Sequence, residues 1–240
     1  MKQGHWVKVL KTLGVILTLG SSLSVNAGLF GLGGDNWKEE VLLHDGQKII
    51  VERSQTYKGR SEPGQPAPIG EHTIRFSLPG SSKTITWTSD YGENIGRTDF
   101  NLSALHVKNS TPYVVAEPNL CLSYNKWGRP NPPYVVFRYD GTVWERIAFD
   151  ALPSEFTTVN VVKRIRGIDV ENLVKAKEIS ADQVAGLNAG LERPETKAIL
   201  REKLPEVRTS WCEELVQYKG RWILPNDPIA RKFIDSQTQK

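Results

Sequence analysis

Halfway along the 240-residue chain lies Cys121-Leu122-Ser123-Tyr124-Asn125-Lys126-Trp127-Gly128-Arg129-Pro130-Asn131-Pro132-Pro133-Tyr134, the stretch that most limits what the rest can build. It holds one of only two cysteines, then a glycine and three prolines, so it is expected to be a rigid loop rather than helix or strand. The chain on either side of it reads as β-hairpins.

Four of these hairpins can be named. Val41 to His44 and Lys48 to Val51 flank Asp45-Gly46, a dipeptide that suits the primed turns of two-residue hairpins. His72 to Leu78 alternates apolar with polar residues, turns at Pro79-Gly80-Ser81-Ser82 and returns as Thr84 to Trp87. Phe100 to Val107 and Tyr113 to Ala116 form a third pair around Lys108 to Pro112. Beyond the central loop, Tyr134 to Tyr139 turns at Asp140-Gly141 into Val143 to Ile147. The pattern Tyr218-Lys219-Gly220-Arg221-Trp222-Ile223 repeats the hairpin theme near the end of the chain.

Between the last two hairpins the period lengthens. Asp169 is placed to cap a helix through Lys177, and Ser180 with Gln183 is a capping box for a second helix that carries Val184, Leu187 and Leu191 on one face. Pro194 suits a first helical position and Pro205 stops the run. Asp227-Pro228 opens a short terminal helix with Ile229, Phe233 and Ile234 facing inward. The expected fold is mainly β, antiparallel hairpins packed as a sheet or sandwich, with a C-terminal helical segment, α+β overall. Its divisions are a signal peptide over 1–27, a flexible glycine-rich leader over 28–38, a β-rich domain over 39–166, a helical segment over 167–205, and a hairpin with a short helix over 206–240 packing on the β domain.

The first division sets the compartment. Lys2, Lys8 and Lys11 precede an apolar run from Leu13 to Val25, and Val25-Asn26-Ala27 offers small residues where a signal peptidase cuts, between Ala27 and Gly28. A retained anchor is the alternative, but the run is shorter than the roughly 20 apolar residues a spanning helix needs. Processing leaves no transmembrane anchor and implies a periplasmic or secreted bacterial protein. It also removes three lysines, so the formal charge falls from +4 to +1. A near-neutral protein has no electrostatic case for nucleic acid, whose binding rests on Lys and Arg neutralising phosphates.

Export bears on the cysteines too. In an oxidising compartment Cys121 and Cys212 are most simply a disulfide, closing a 91-residue loop worth about 4 to 5 kcal/mol in the chain-entropy account. Free thiols, buried or catalytic, are the other reading.

Catalytic motifs fail on context. Ser123-Tyr124-Asn125-Lys126 has the Ser-x-x-Lys spacing of penicillin-recognising enzymes, but those need a helix there, which Gly128 and Pro130 are expected to forbid. His44, His72 and His106 fall in expected strands without metal-ligand spacing, and strand histidines commonly face solvent or bond at a sheet edge. Asp90, Glu93 and Asp99 read as solvated loop charges, although a paired-carboxylate glycosidase site depends on separations in space. No cofactor or metal site is expected. The best candidate surface is the central loop, where Tyr124, Lys126, Trp127, Arg129 and Tyr134 are types enriched at recognition sites. The competing use of the same residues is structural, with Trp127 covering the disulfide and Tyr134 starting a core strand.

Glu40-Val41-Leu42-Leu43-His44-Asp45-Gly46 and the run from Cys121 to Tyr134 resemble a group of exported proteins of Gram-negative bacteria that carry no assigned activity. The resemblance is clearest from Glu39 to Ile147. It implies an envelope setting and transfers no catalytic residues. The expected function is a non-enzymatic binding or interaction module whose partner is an envelope protein or glycan. The alternatives are a cell-wall or glycan hydrolase using the loop carboxylates or a strand-assembled histidine site, and a purely structural envelope protein.

Overall fold

The computed structural model describes residues 34–61, 63–65, 67–163, 168–228, 231, 232 and 235. The expected signal peptide, its Ala27–Gly28 cleavage point, the start of the leader, and Ile229, Phe233 and Ile234 of the expected terminal helix lie outside them.

Two sheets carry the fold. The first contains β1 (Gly34–Leu42), β2 (Lys48–Tyr57), β3 (Ile69–Ser77) and β4 (Thr84–Thr88), joined in order as antiparallel neighbours. After two short strands, β5 (Tyr91–Gly92) and β6 (Arg97–Thr98), the second sheet contains β7 (Phe100–Lys108) and β8 (Thr111–Pro118). Helix α1 (Leu120–Lys126) intervenes before β9 (Val135–Tyr139) and β10 (Trp144–Ile147) complete the second sheet in the order β10-β9-β8-β7. The chain then forms α2 (Ile168–Ala176), β11 (Glu178–Ile179), α3 (Ala181–Ala189), α4 (Pro194–Lys197) and α5 (Glu206–Thr209), and β12 (Val216–Tyr218) pairs with β13 (Arg221–Ile223). Among the described residues no helix is long and apolar enough to cross a membrane.

Period-two alternation places Val41, Val51, Ile74, Phe76, Ile85 and Trp87 on one face of the first sheet. They share a core with Phe100, Leu102, Leu105, Val114, Ala116 and Val135 of the second sheet, so the two sheets stack. The second sheet is apolar on its other face as well, because Ala104, Val115, Tyr134 and Val136 pack against Leu152, Phe156, Val159 and Ile199. Burial on both faces accounts for the unbroken apolar runs at Val114-Val115-Ala116 and Val135-Val136. A third cluster joins Trp37 of β1 to Val170, Leu173 and Val184 of α2 and α3. Asn160 ties the layers together: its amide donates to the Leu42 and Leu105 carbonyls at 2.9 and 2.7 Å and accepts from Leu105 N–H at 3.0 Å.

Several sequence expectations need correction. The first strand begins at Gly34, so the expected leader over 28–38 overlaps β1. Trp37 is drawn into the helical cluster, and a Cβ on residue 34 would sit 2.7 Å from the Gln55 carbonyl oxygen, so glycine lets β1 lie against β2. The stretch from Cys121 to Tyr134 is not loop throughout, because its first half is α1. Gly128, at φ +84°, ends that helix, with Gly128 N–H bonded to Asn125 O and Arg129 N–H to Tyr124 O. Glycine and the prolines follow the helix rather than forbid it. Asp169 sits within the first turn of α2 rather than capping it. The 167–205 region is a set of short helices interrupted by β11, which runs parallel to β1 on the sheet edge. The third hairpin is tighter than expected: Asn109 and Ser110, both at positive φ, make the turn, and Pro112 lies inside β8 opposite Val107, beyond the reach of β9. The capping box at Ser180 and Gln183 and the first-turn position of Pro194 are as the sequence reads.

Candidate functional site

The face that the first sheet turns inward changes character along its strands. Ile49 and Val51 are apolar, yet Arg53 and Gln55 continue in the same phase and are also buried, and His72 and Glu39 join them from the neighbouring strands. Glu39 and Arg53 form an enclosed ion pair at 2.6 Å, with Trp37 Nε1 donating to the second Glu39 oxygen at 2.9 Å. On the facing sheet Glu117 pairs with Lys163 at 2.6 Å. Buried charge is costly unless compensated in this way, so each wall neutralises its own enclosed ion.

Between these walls lies a cleft of about 440 Å³. Arg53 and His72 line it from the first sheet, Asn101, Leu102 and Glu117 from the second, and Tyr124 from α1. Arg193, Glu195, Leu204 and Trp211 close its C-terminal side. Three of these side chains carry buried polar atoms without a protein partner: Nε of Arg53, Oε2 of Glu195 and both ring nitrogens of His72. His72 as a whole residue is 7% exposed, and both its ring nitrogens are buried. Burial, with the Arg53 charge beside it, pushes its pKa down to about 3, so the ring is neutral and presents one donor and one acceptor.

The central stretch positions this site. Cys121 and Cys212 are disulfide-bonded, with Cα atoms 5.2 Å apart, which fixes Trp211 next to α1. Arg129 donates to the Cys212 and Glu213 carbonyls at 2.9 and 3.1 Å, and its guanidinium lies 5.1 Å from the Tyr124 ring centroid. Asn125 binds Glu213 O and Leu215 N–H, each at 2.9 Å. Asn131 binds both backbone groups of Leu204. The Tyr134 hydroxyl shares its one proton between the Glu195 and Ala198 carbonyls, each at 2.8 Å, and accepts from Leu200 N–H at 3.2 Å, and burial raises the pKa of that phenol. The segment from 195 to 215 is thus sewn to the central stretch as a strap across the cleft end.

Of the five residues that sequence composition marks as a contact surface, Tyr124 alone lines the cleft. Lys126 is ion-paired to buried Asp99, and Trp127 packs on Phe100 at 4.5 Å between ring centroids. Arg129 and Tyr134 hold the strap. The other expected chemistry is dispersed. Ser123 and Lys126 do share a helix, but Ser123 is fully buried and Lys126 faces Asp99, so no nucleophile is presented. Asp99 is buried rather than solvated, Asp90 is exposed, and Glu93 pairs with Lys58 at the surface. His106 does not face solvent either: it stacks on Phe156, bonds to the Thr158 carbonyl at 3.0 Å, and burial lowers its pKa to about 4. His44 and His106 lie 6.3 Å apart by ring centroid, while His72 sits on β3 and lines the cleft instead. Among the described residues no group of three His, Cys, Asp or Glu side chains is placed to hold a metal ion.

Composition overlooks Arg53, His72, Glu117, Glu195 and Trp211. One signal for the first was present: Arg53 and Gln55 keep the inward phase of Ile49 and Val51, which marks polar groups on a core face. The fold and this site define a two-sheet β protein with a polar end cleft bounded by a disulfide-fastened strap. Compared with protein-family models, curated proteins and solved structures, the chain matches none.

Proposed function

We propose that this is an exported bacterial envelope protein acting as a non-enzymatic binding module, and that it holds a small polar ligand in the cleft between its sheets. The observation that carries the reading is that His72, Arg53 and Glu195, each holding a buried polar atom without a protein partner, line one cavity of ligand size. A buried polar group without a partner costs about 1 to 3 kcal/mol, and a bound molecule that pairs with all three recovers that cost. Export is supported by the charged, then apolar, then small-residue pattern of the first 27 residues and by a disulfide of a kind rare in reducing compartments. In this reading Tyr124 forms part of the cleft wall, and Lys126, Trp127, Arg129 and Tyr134 serve the site by holding α1 and the strap.

Hydrolysis is the second reading, favoured by the presence of two carboxylates, Glu117 and Glu195, in one cleft. Against it stands the engagement of Glu117 by Lys163. Native mass spectrometry of the protein recovered from the envelope fraction separates the two. The binding reading predicts a non-covalent small-molecule increment on the wild type that is lost on denaturation and absent from His72→Leu. Bare wild-type protein contradicts it, and release of reducing ends from wall fragments, abolished by Glu195→Gln, puts hydrolysis in its place.

A further inference from the structure

We infer that the ligand of the cleft is an uncharged saccharide, seated against Trp211 at the mouth and hydrogen-bonded through its hydroxyls to Arg53, His72 and Glu195. The inference rests on the binding reading above and adds the chemical class of ligand.

Hydrogen-bond polarity selects the ligand class. Arg53 Nε can only donate, the Glu195 carboxyl offers acceptor oxygens, and neutral His72 offers one donor and one acceptor. A carboxylate ligand is acceptor-only, so it would set lone pairs against Glu195 and one His72 nitrogen. An ammonium ligand is donor-only and fails equally against Arg53. Hydroxyl groups donate and accept, so a molecule with several of them pairs with the whole set.

Charge gives the same answer. The two enclosed ions of the walls are already neutralised within the protein, Arg53 by Glu39 and Glu117 by Lys163. Of the remaining charged lining residues, Arg97 and Arg193 outnumber Glu195 by one, so the lining carries both signs and neither sign of ligand meets a uniform field. Aromatic surface completes the match. Trp211 is 53% exposed and lines the mouth, with the Arg193 guanidinium 5.5 Å from its ring centroid. An exposed indole beside polar groups suits a sugar ring, which has an apolar C–H face and a hydroxylated edge. A volume of about 440 Å³ accommodates a disaccharide.

Saturation-transfer NMR of the wild type, Trp211→Ala, Glu195→Gln and His72→Leu tests this. The probes are chitobiose, cellobiose and maltose as neutral sugars, with digalacturonate, inorganic phosphate and glycylglutamate as charged ones. At least one neutral disaccharide is expected to bind and no charged probe. Trp211→Ala, an exposed position, is expected to weaken that binding at least tenfold with an unchanged circular dichroism spectrum. Glu195→Gln, which keeps an acceptor oxygen, is expected to weaken it less than His72→Leu. Binding of phosphate or digalacturonate alone would make the cleft an anion site, overturning the saccharide inference while the binding reading stands. Binding of no probe overturns the inference, and bare wild-type protein in the native mass experiment removes the binding reading with it.

Discussion

Replacing Cys121 and Cys212 with alanine lowers the stability of the protein by about 4 to 5 kcal/mol and loosens the cleft mouth. The energy follows from the 91-residue loop that the bridge closes, since that constraint is lost from the unfolded chain. The location follows from what the bridge joins. On one side α1 contributes Leu120 and Tyr124 to the cleft, and on the other Trp211 precedes Cys212 directly. The strap keeps its bonds to Asn131, Tyr134 and Arg129, so the variant is expected to fold, with the 205–215 segment newly open to limited proteolysis. Urea denaturation of both proteins measures the difference. A change below about 1 kcal/mol would mean that the bridge is incidental to the fold.

Acid is expected to have an effect of similar size, through two histidines. The unfolded rings titrate near 6.5, and the folded values are about 3 for His72 and about 4 for His106. Both folded pKa values are depressed, so the unfolded chain binds protons that the native state refuses. Stability is therefore fully present above pH 6.5 and falls as pH drops, at about 1.4 kcal/mol per pH unit for each ring. The fall ends near pH 4 for His106 and near pH 3 for His72. Between pH 6.5 and 4.5 the two together lower stability by about 5 kcal/mol. Urea midpoints at pH 7.5 and 4.5 test this, with His72→Leu expected to halve the slope. Equal midpoints would contradict the burial of both rings.

The sequence made the local features of this fold legible. Asp45-Gly46 and Asp140-Gly141 mark their turns, with the glycines at φ +84° and +106°, but the loops are longer than the two-residue primed turn: Leu43 N–H bonds to the Gln47 carbonyl around His44 to Gly46, and Asp140 N–H to the Val143 carbonyl. Ser180 and Gln183 exchange bonds within four residues, and the two cysteines had only each other. What stayed hidden is non-local. Nothing near His72 announces that Arg53 approaches from the next strand or that Glu195 arrives from the strap, because both depend on strand register and on the Tyr134 anchor. The aromatic and cationic residues of the central stretch were visible, but composition does not tell an outward-facing Trp127 or Arg129 from one turned inward. Here Trp127 covers Phe100 and Arg129 caps the Cys212 and Glu213 carbonyls, so residues of interface type build the scaffold. The polar phase of β2 was the one readable trace of the cleft.

Hydrogen exchange tests most directly whether the cleft is the ligand site. Protein purified from its host under native conditions would be compared with the same protein stripped of small molecules by unfolding and refolding with its disulfide intact. The account predicts slower exchange in the ligand-bearing sample confined to β3 around His72 and to the strap from Arg193 to Cys212. Protection instead at the β12–β13 hairpin, or identical exchange throughout, would contradict it.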